Sequence, residues 1–297
     1  MIDRKAMDLM VEELKKNRAE GRPAVMLVGA GCSVKAGIPD AQGMVAAIQN
    51  QFPGAAEKAA KKAYHSMVAE LTVDERRRLL KKYTDQAKIN WASIAIALLT
   101  KNGFLNRVLT TNYDGVLMRA MTLVDEYPAI YDTAAAPLAW KDAPARTLLV
   151  HLHGQEMGAV ELNAEKGYRA LYDSVEALFD KAGERPWIVV GYQGLHDPVF
   201  KRLVEVPRFE RGLYWVGLGE NEPPKHVLEH LLKRDKGASY IGGHDAETFL
   251  VSLAQKLEIF PPEFVSKPYS QLGRALKAVM PFPLPGNAGE LNVTDTF

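Results

Sequence analysis

The sequence predicts an α/β protein: a doubly wound, Rossmann-like parallel sheet of about six strands with an inserted helical lobe. Three observations point there. Short continuous apolar runs end in glycine or small polar residues, as strands buried on both faces do. Helical patterns alternate with the later runs, which is the signature of parallel strands joined by crossovers. A long stretch rich in alanine, lysine and leucine separates the first two strands. With 297 residues, the chain is long enough for a large α/β domain carrying such a lobe.

Residues 3–18 read as an amphipathic helix with Ala6, Leu9, Met10 and Leu14 on one face, closed by Gly21-Arg22-Pro23. "AVMLVGA" (Ala24 to Ala30) is a buried strand ended by glycine. Helical stretches follow at roughly 41–50, 55–71, 73–87 and 90–101, which defines an insertion over about 41–105. "NRVLTTNYD" (Asn106 to Asp114) reads as the second strand and its polar turn. "TLLVHLHG" (Thr147 to Gly154) is the third, "WIVVGYQG" (Trp187 to Gly194) the fourth, "GLYWVGLG" (Gly212 to Gly219) the fifth and "ASYIGG" (Ala238 to Gly243) the sixth. Helices are expected at about 166–183, 197–204, 224–234 and 245–257. Beyond residue 260 the chain is proline-punctuated, with one short helical stretch. The expected organisation is an N-terminal helix over 1–22, the sheet domain over 23–258, and a linker or docking tail over 259–297.

Composition excludes several classes. Hydrophobic residues are 47% and charged residues 25%, which is ordinary for a globular domain. The net charge of +1 is spread along the chain, so no basic footprint for nucleic acid appears. The run "ERRRLLKK" (Glu75 to Lys82) reads as a solvated helix face. One cysteine, Cys32, permits neither an intramolecular disulfide nor a multi-cysteine metal site. The N-terminus lacks a signal-peptide pattern, and no apolar run approaches the ~20 residues that span a bilayer. A cytoplasmic protein without membrane contact is expected.

Ligands of a doubly wound sheet bind beyond the carboxyl ends of its strands. Those ends carry Gly29, Gly31 and Ser33; Thr111, Asn112 and Asp114; His151, His153 and Gly154; Gly191, Tyr192 and Asp197; Gly217 and Gly219; Gly243 and Asp245. The turn "GAGCS" reads either as a tight strand-to-helix turn or as a phosphate site built from free backbone N–H groups. Val34 occupies the third glycine position of a dinucleotide fingerprint, so the fingerprint itself fails. His151 reads as a hydrogen-bonded structural residue. His153, further out, reads as an active-site residue once its neighbours are counted. A metal at these histidines would need a third ligand, and none is expected.

"GAGCSVKAGIPD", "TTNYD", "HLHG" and "VVGYQGLHD", in that order over residues 20–258, resemble the sirtuin family. Within it, the pattern is most similar to the sirtuin-like domains of bacterial antiphage defence proteins, which hydrolyse NAD rather than deacylate proteins. Four departures separate it from the protein deacylases. Ala41-Gln42 stand where Phe-Arg is usual, and Thr111 stands for the glutamine of Thr-Gln-Asn. Gly191-Tyr192-Gln193 stand for Gly-Thr-Ser, and the four-cysteine zinc ribbon is missing.

The resemblance implies NAD as substrate, no metal, and hydrolysis of the nicotinamide–ribose bond. Asn112 and His153 are the catalytic candidates: Asn112 on the nicotinamide ribose or the attacking water, His153 as general base. The pyrophosphate falls to backbone N–H groups around Ala30, Gly31 and Ser33. Ile38, Pro39, Asp40, Thr111, Asp114, Gly191 and Tyr192 complete the nearer part of the site, with Asp40 and Asp114 orienting the nicotinamide amide or the catalytic groups. Gly219, Gly243 and Asp245 border the adenosine. The alternatives are a protein deacylase, an ADP-ribosyltransferase or an NAD sensor without turnover, and the product is ADP-ribose or a cyclic variant. The expected assembly is a homo-oligomer, with the two chain ends joining NAD domains to each other, to a partner protein or to a sensor region beyond residue 297. The other reading of those ends is that both pack on their own domain.

Overall fold

The computed structural model describes residues 4–60, 64–133, 147–155, 179, 182–195, 197–219, 222–279, 282–283 and 290–291. The strands are β1 (Ala24–Val28), β2 (Leu105–Thr110), β3 (Ala129–Asp132), β4 (Leu148–His151), β5 (Trp187–Val190), β6 (Leu213–Val216) and β7 (Ala238–Ile241). They form one sheet in the order β3-β4-β2-β1-β5-β6-β7, with every pairing parallel. The helices are α1 (Arg4–Ala19), α2 (Ala41–Gln51), α3 (Pro53–Lys58), α4 (Tyr64–Ala69), α5 (Val73–Thr84), α6 (Trp91–Lys101), α7 (Val116–Leu123), α8 (Pro198–Glu205), α9 (Lys225–His230), α10 (Ala246–Lys256), α11 (Glu263–Ser266) and α12 (Pro268–Lys277).

Alternate residues of each central strand serve opposite layers. Met26 and Val28 of β1 join one apolar cluster with α1, α6, α7 and α10. Val25 and Leu27 join a second cluster with α8, α9 and the fully buried Trp187 and Trp215. A strand covered on both faces needs apolar residues at every position, which explains the uninterrupted runs in the sequence. A third cluster holds α2, α4 and α5 together around Met44, Ile48, Met67 and Leu79. The lobe is therefore α2–α5, whereas α6 lies on the sheet through Ala92, Ala95, Ile96 and Leu99.

Six strands stand where the sequence predicts them. The seventh, β3, carries no continuous apolar run, because an edge strand is covered on fewer sides and its residues are half-buried or exposed. Helix α7 also escapes the sequence reading. The single helix expected over 55–71 is two short helices, α3 and α4, and the tail holds α11 and α12 rather than one helical stretch. The helix expected over 166–183 lies outside the described residues, apart from Phe179 and a turn at Ala182–Glu184.

The face of α1 also needs correction. Met7, Met10, Val11 and Leu14 are buried in the core cluster, at the i, i+3, i+4, i+7 spacing of one helix face. Leu9 is 59% exposed. Helix α1 thus belongs to the packing of the sheet, while α12 buries no residue. Met10→Ala is expected to cost about 2–5 kcal/mol of unfolding free energy. Leu9→Ala should stay within about 0.5 kcal/mol of the parent. Urea unfolding of the two variants checks the assignment, and equal losses would reject it.

Candidate active site

The chain leaves β1 toward β2 on one side and later returns to place β5 on the other, so the switch point of the sheet lies at β1 and β5. Here the two glycine turns meet backbone to backbone. A Cβ on Gly29 would lie 2.4 Å from the Gly191 carbonyl oxygen, and one on Gly31 would lie 2.8 Å from the Gly191 Cα. Gly191 has φ of 64°, and its own Cβ would meet the Cys32 amide at 2.7 Å. No side chain fits at any of the three positions. The Gly31 amide donates to the Gly191 carbonyl at 2.9 Å.

This seat corrects one expectation. The amides of Gly31 and Ser33 do not stand free for a pyrophosphate: the first is taken by Gly191 and the second donates to the Ala30 carbonyl. The turn continues into two 3-10 turns rather than an α-helix. The next α-helix, α2, starts at Ala41, and Asp40 caps it by accepting the Gly43 amide at 2.9 Å. Ile38 is buried in the lobe core, and Pro39 is half-buried beside it.

Beside the turn, β2 ends in a directional hydrogen-bond chain. The Ser33 hydroxyl donates to Asp114 Oδ2 at 2.9 Å. Asn112 Nδ2 donates to Ser33 Oγ at 3.0 Å and to the Gly29 carbonyl at 3.1 Å. Asp114 Oδ1 accepts the Val116 amide at 3.0 Å, which fixes the carboxyl at the start of α7. The Gly29 carbonyl can only accept, so the Asn112 amide nitrogen must face it. Both amide hydrogens are then committed, and Oδ1 is left as an acceptor for a ligand. Thr111 ties the segment to β1, its amide donating to the Val28 carbonyl at 3.0 Å. Ser33, Thr110, Asn112 and Asp114 also line a small cavity behind the turn.

Strand β4 lies beside β2 with His151 in register with Thr110, so Asn112 and His153 each sit two residues beyond a paired position. His151 is 3% exposed, and its Nδ1 donates to the Asn112 carbonyl at 3.2 Å. Burial pushes its imidazole below the usual range, so it stays neutral. His153 Nε2 lies 3.0 Å from Asp197 Oδ2. Asp197 caps α8, with Oδ1 accepting the Val199 amide at 2.8 Å. The sequence alone puts Asp197 at this strand end without a role, and Asp-Pro at a helix start is the signal for its place as a cap.

The other predicted residues are more widely placed. Tyr192 is buried in the layer with Trp215, ring centroids 5.9 Å apart. Gly219 and Asp245 stand at the far ends of β6 and β7. The Gly219 carbonyl accepts from the Tyr240 hydroxyl and the Gly243 amide. Asp245 caps α10 through the Glu247 and Thr248 amides, and Lys35 bridges it to Glu247, each contact at 3.3 Å. Cys32 is buried, and burial raises its thiol pKa, so it is an inert packing residue. Among the described residues, no group of three or more His, Cys, Asp or Glu is placed to hold a metal ion. No helix among them is long and apolar enough to cross a membrane.

Comparison with known proteins agrees with this architecture. Residues 106–238 match the model of the SIR2-like domain. A Sir2 homologue with a serine-to-alanine substitution, in complex with ADP-ribose, superposes with a TM-score of 0.52 at 17% identity, covering 94% of this chain and 99% of that one. A histidine-to-asparagine variant of a Sir2 homologue, also with ADP-ribose, gives 0.51 at 18% identity over 86% and 94%. Sir2Tm bound to a propionylated peptide gives 0.50 at 18% over 84% and 98%. At these identities the likeness is one of fold. No curated protein sequence matches the chain. Residues 106–238 thus match a SIR2-like domain, within a sheet that has the fold of the Sir2 structures.

Asp114 supplies a pH test of the buried chain. It is 6% exposed, and burial raises its carboxyl pKa, partly opposed by the bonds from Ser33 and Val116. A raised folded-state pKa adds stability below the unfolded carboxylate value of about 3.9, which is lost as pH rises through the folded value. The stability of the parent relative to Asp114→Asn should therefore fall as pH rises above about 4. His151 acts with the opposite sign but is present in both proteins. Denaturant unfolding of both across this range checks the slope, and a relative gain by the parent with rising pH would contradict it.

Proposed function

We propose that the protein hydrolyses NAD at the nicotinamide–ribose bond. The observation that supports this best is the pairing at neighbouring strand ends: Asn112 locked as an acceptor, and His153 held by Asp197, beside the glycine seat at the switch point. Binding alone requires neither a locked acceptor nor a carboxylate-paired imidazole. The chemistry asks for both. The C1′–N bond breaks with its electron pair going to the pyridinium nitrogen, so nicotinamide leaves neutral and C1′ acquires oxocarbenium character. A water oxygen bonds to C1′ and its proton passes to His153, then to solvent. The products are ADP-ribose, nicotinamide and one proton. Asn112 Oδ1 accepts from the attacking water or a ribose hydroxyl and so sets its direction.

With the Gly31 and Ser33 amides engaged, the pyrophosphate falls to the exposed Ala30–Gly31 edge of the turn. Gly219 and Asp245 border the adenosine end. We assign the activity to a regulated effector that depletes NAD in bacterial antiphage defence, acting in the cytoplasm as a homo-oligomer. That assignment rests on the motif resemblance. A second reading, protein deacylation, is favoured by the likeness to a fold that holds a propionylated peptide in Sir2Tm. The single cysteine speaks against it, since the family's zinc ribbon needs four.

His153→Ala and Asn112→Ala should each remove most turnover with the melting temperature kept; loss of a general base is worth about 10²–10⁴-fold. Release of nicotinamide from NAD, with and without an acyl peptide, is the measurement. Near-parent rates in both variants would sink the site assignment. Release that depends on the peptide would favour the deacylase. Chelator is expected to leave the rate and the melting temperature unchanged, and a stoichiometric metal in elemental analysis would overturn the metal-free mechanism.

A further inference from the structure

We infer that Asp197 is a positioning residue: it holds His153 as the Nε2–H tautomer and makes Nδ1 the nitrogen that takes the proton. The inference rests on the hydrolase reading for its last step only. Asp197 has two oxygens with separate duties. Oδ1 accepts the Val199 amide at the start of α8, at 2.8 Å. Oδ2 lies 3.0 Å from His153 Nε2. An ionised carboxylate only accepts, so Nε2 must carry the hydrogen, and in neutral imidazole the lone pair then resides on Nδ1.

The geometry of the carboxylate is set by the helix rather than by the histidine. Pro198 at the first helical position and the capped Val199 amide hold Asp197 whether or not His153 is present. Only 13% of the His153 side chain and 17% of the Asp197 side chain are exposed, so water competes little for the bond. The tilted Tyr113 ring, with its centroid 6.5 Å from that of His153, packs beside the imidazole. His151 is held in the opposite sense. Its Nδ1 faces a carbonyl and must carry the hydrogen. Two histidines two residues apart are thus fixed as opposite tautomers by two different acceptors. Of the two, the buried His151 orients the Asn112 segment, and the less buried His153 is the base.

The discriminating variant is Asp197→Asn. Asparagine caps a helix about as well as aspartate, so α8 and the melting temperature should be kept. Its amide nitrogen, turned toward Nε2, would donate, and His153 would shift to the Nδ1–H tautomer. The expected result is a fall in kcat of about 10²–10⁴-fold, similar to His153→Ala, with KM for NAD unchanged. Nitrogen NMR of ¹⁵N-histidine protein without ligand should show His153 protonated at Nε2 in the parent and at Nδ1 in the variant. Near-parent turnover in Asp197→Asn, with His153→Ala inactive, would overturn the inference and leave Asp197 as a helix cap. An Nδ1–H signal in the parent would overturn it independently of any activity. If His153→Ala itself keeps turnover, the hydrolase reading and the proton-accepting step fall together, and the nitrogen spectrum alone then judges the tautomer.

Discussion

The close seat of the β1 turn on the β5 turn is the constraint from which the rest of the site follows. Three glycines are needed because a Cβ at any of them would stand only 2.4–2.8 Å from the facing backbone. That approach fixes where Cys32 and Ser33 emerge. Cys32 is pinned from both sides: its thiol contacts the Val190 carbonyl, and its own carbonyl accepts the Asn90 side chain at 2.7 Å. Asn90 also caps α6 through the Ser93 amide. The glycine turn is therefore tied to the adjacent strand and to the helix that covers it. A side chain at any of the three glycines would be felt at Ser33, and through Ser33 at Asn112.

The buried polar chain shows how the Asn112 amide is oriented by protein groups alone. Asp114 accepts from Ser33, Ser33 accepts from Asn112, and Asn112 also donates to the Gly29 carbonyl in the turn after β1. Each link has one consistent direction. Asn112 is the last member, so its oxygen is presented by elimination. The cost is a carboxyl group 6% exposed to solvent, which burial drives toward protonation. A buried chain of this kind is stable only when each member is satisfied, which couples the fold at α7 to the geometry at the strand end.

Beyond β5 and β7, helix caps do similar work. Asp197 and Asp245 each start a helix from just beyond a strand, so helix formation sets the position of their carboxylates. In Asp197 the second oxygen is then available to a histidine. In Asp245 it is taken by Thr248, and the first oxygen also meets Lys35 from the 3-10 turn after β1. The two caps look alike in sequence and differ in what the sheet order brings to them.

The apolar runs of the sequence carry six of the seven strands and put the polar residues at their ends. Continuous apolar runs require strands covered on both faces, and ligand chemistry then falls at their carboxyl ends. The sequence by itself also put Asn112 and His153 at neighbouring strand ends, because short motifs at those ends carry the family resemblance. It did not reveal β3, whose half-covered residues leave no apolar run, nor the true face of α1, where the spacing of Met7, Met10, Val11 and Leu14 competes with Leu9. Only the tertiary structure decided which amides of the glycine turn remain open, since Gly191 arrives from 160 positions beyond Gly31. Only it joined His153 to Asp197 across 44 positions, and His151 to the Asn112 carbonyl across 39. Hydrogen bonds between distant segments leave no local period or composition in the chain. They exist because parallel strands bring the ends of separate segments to one edge.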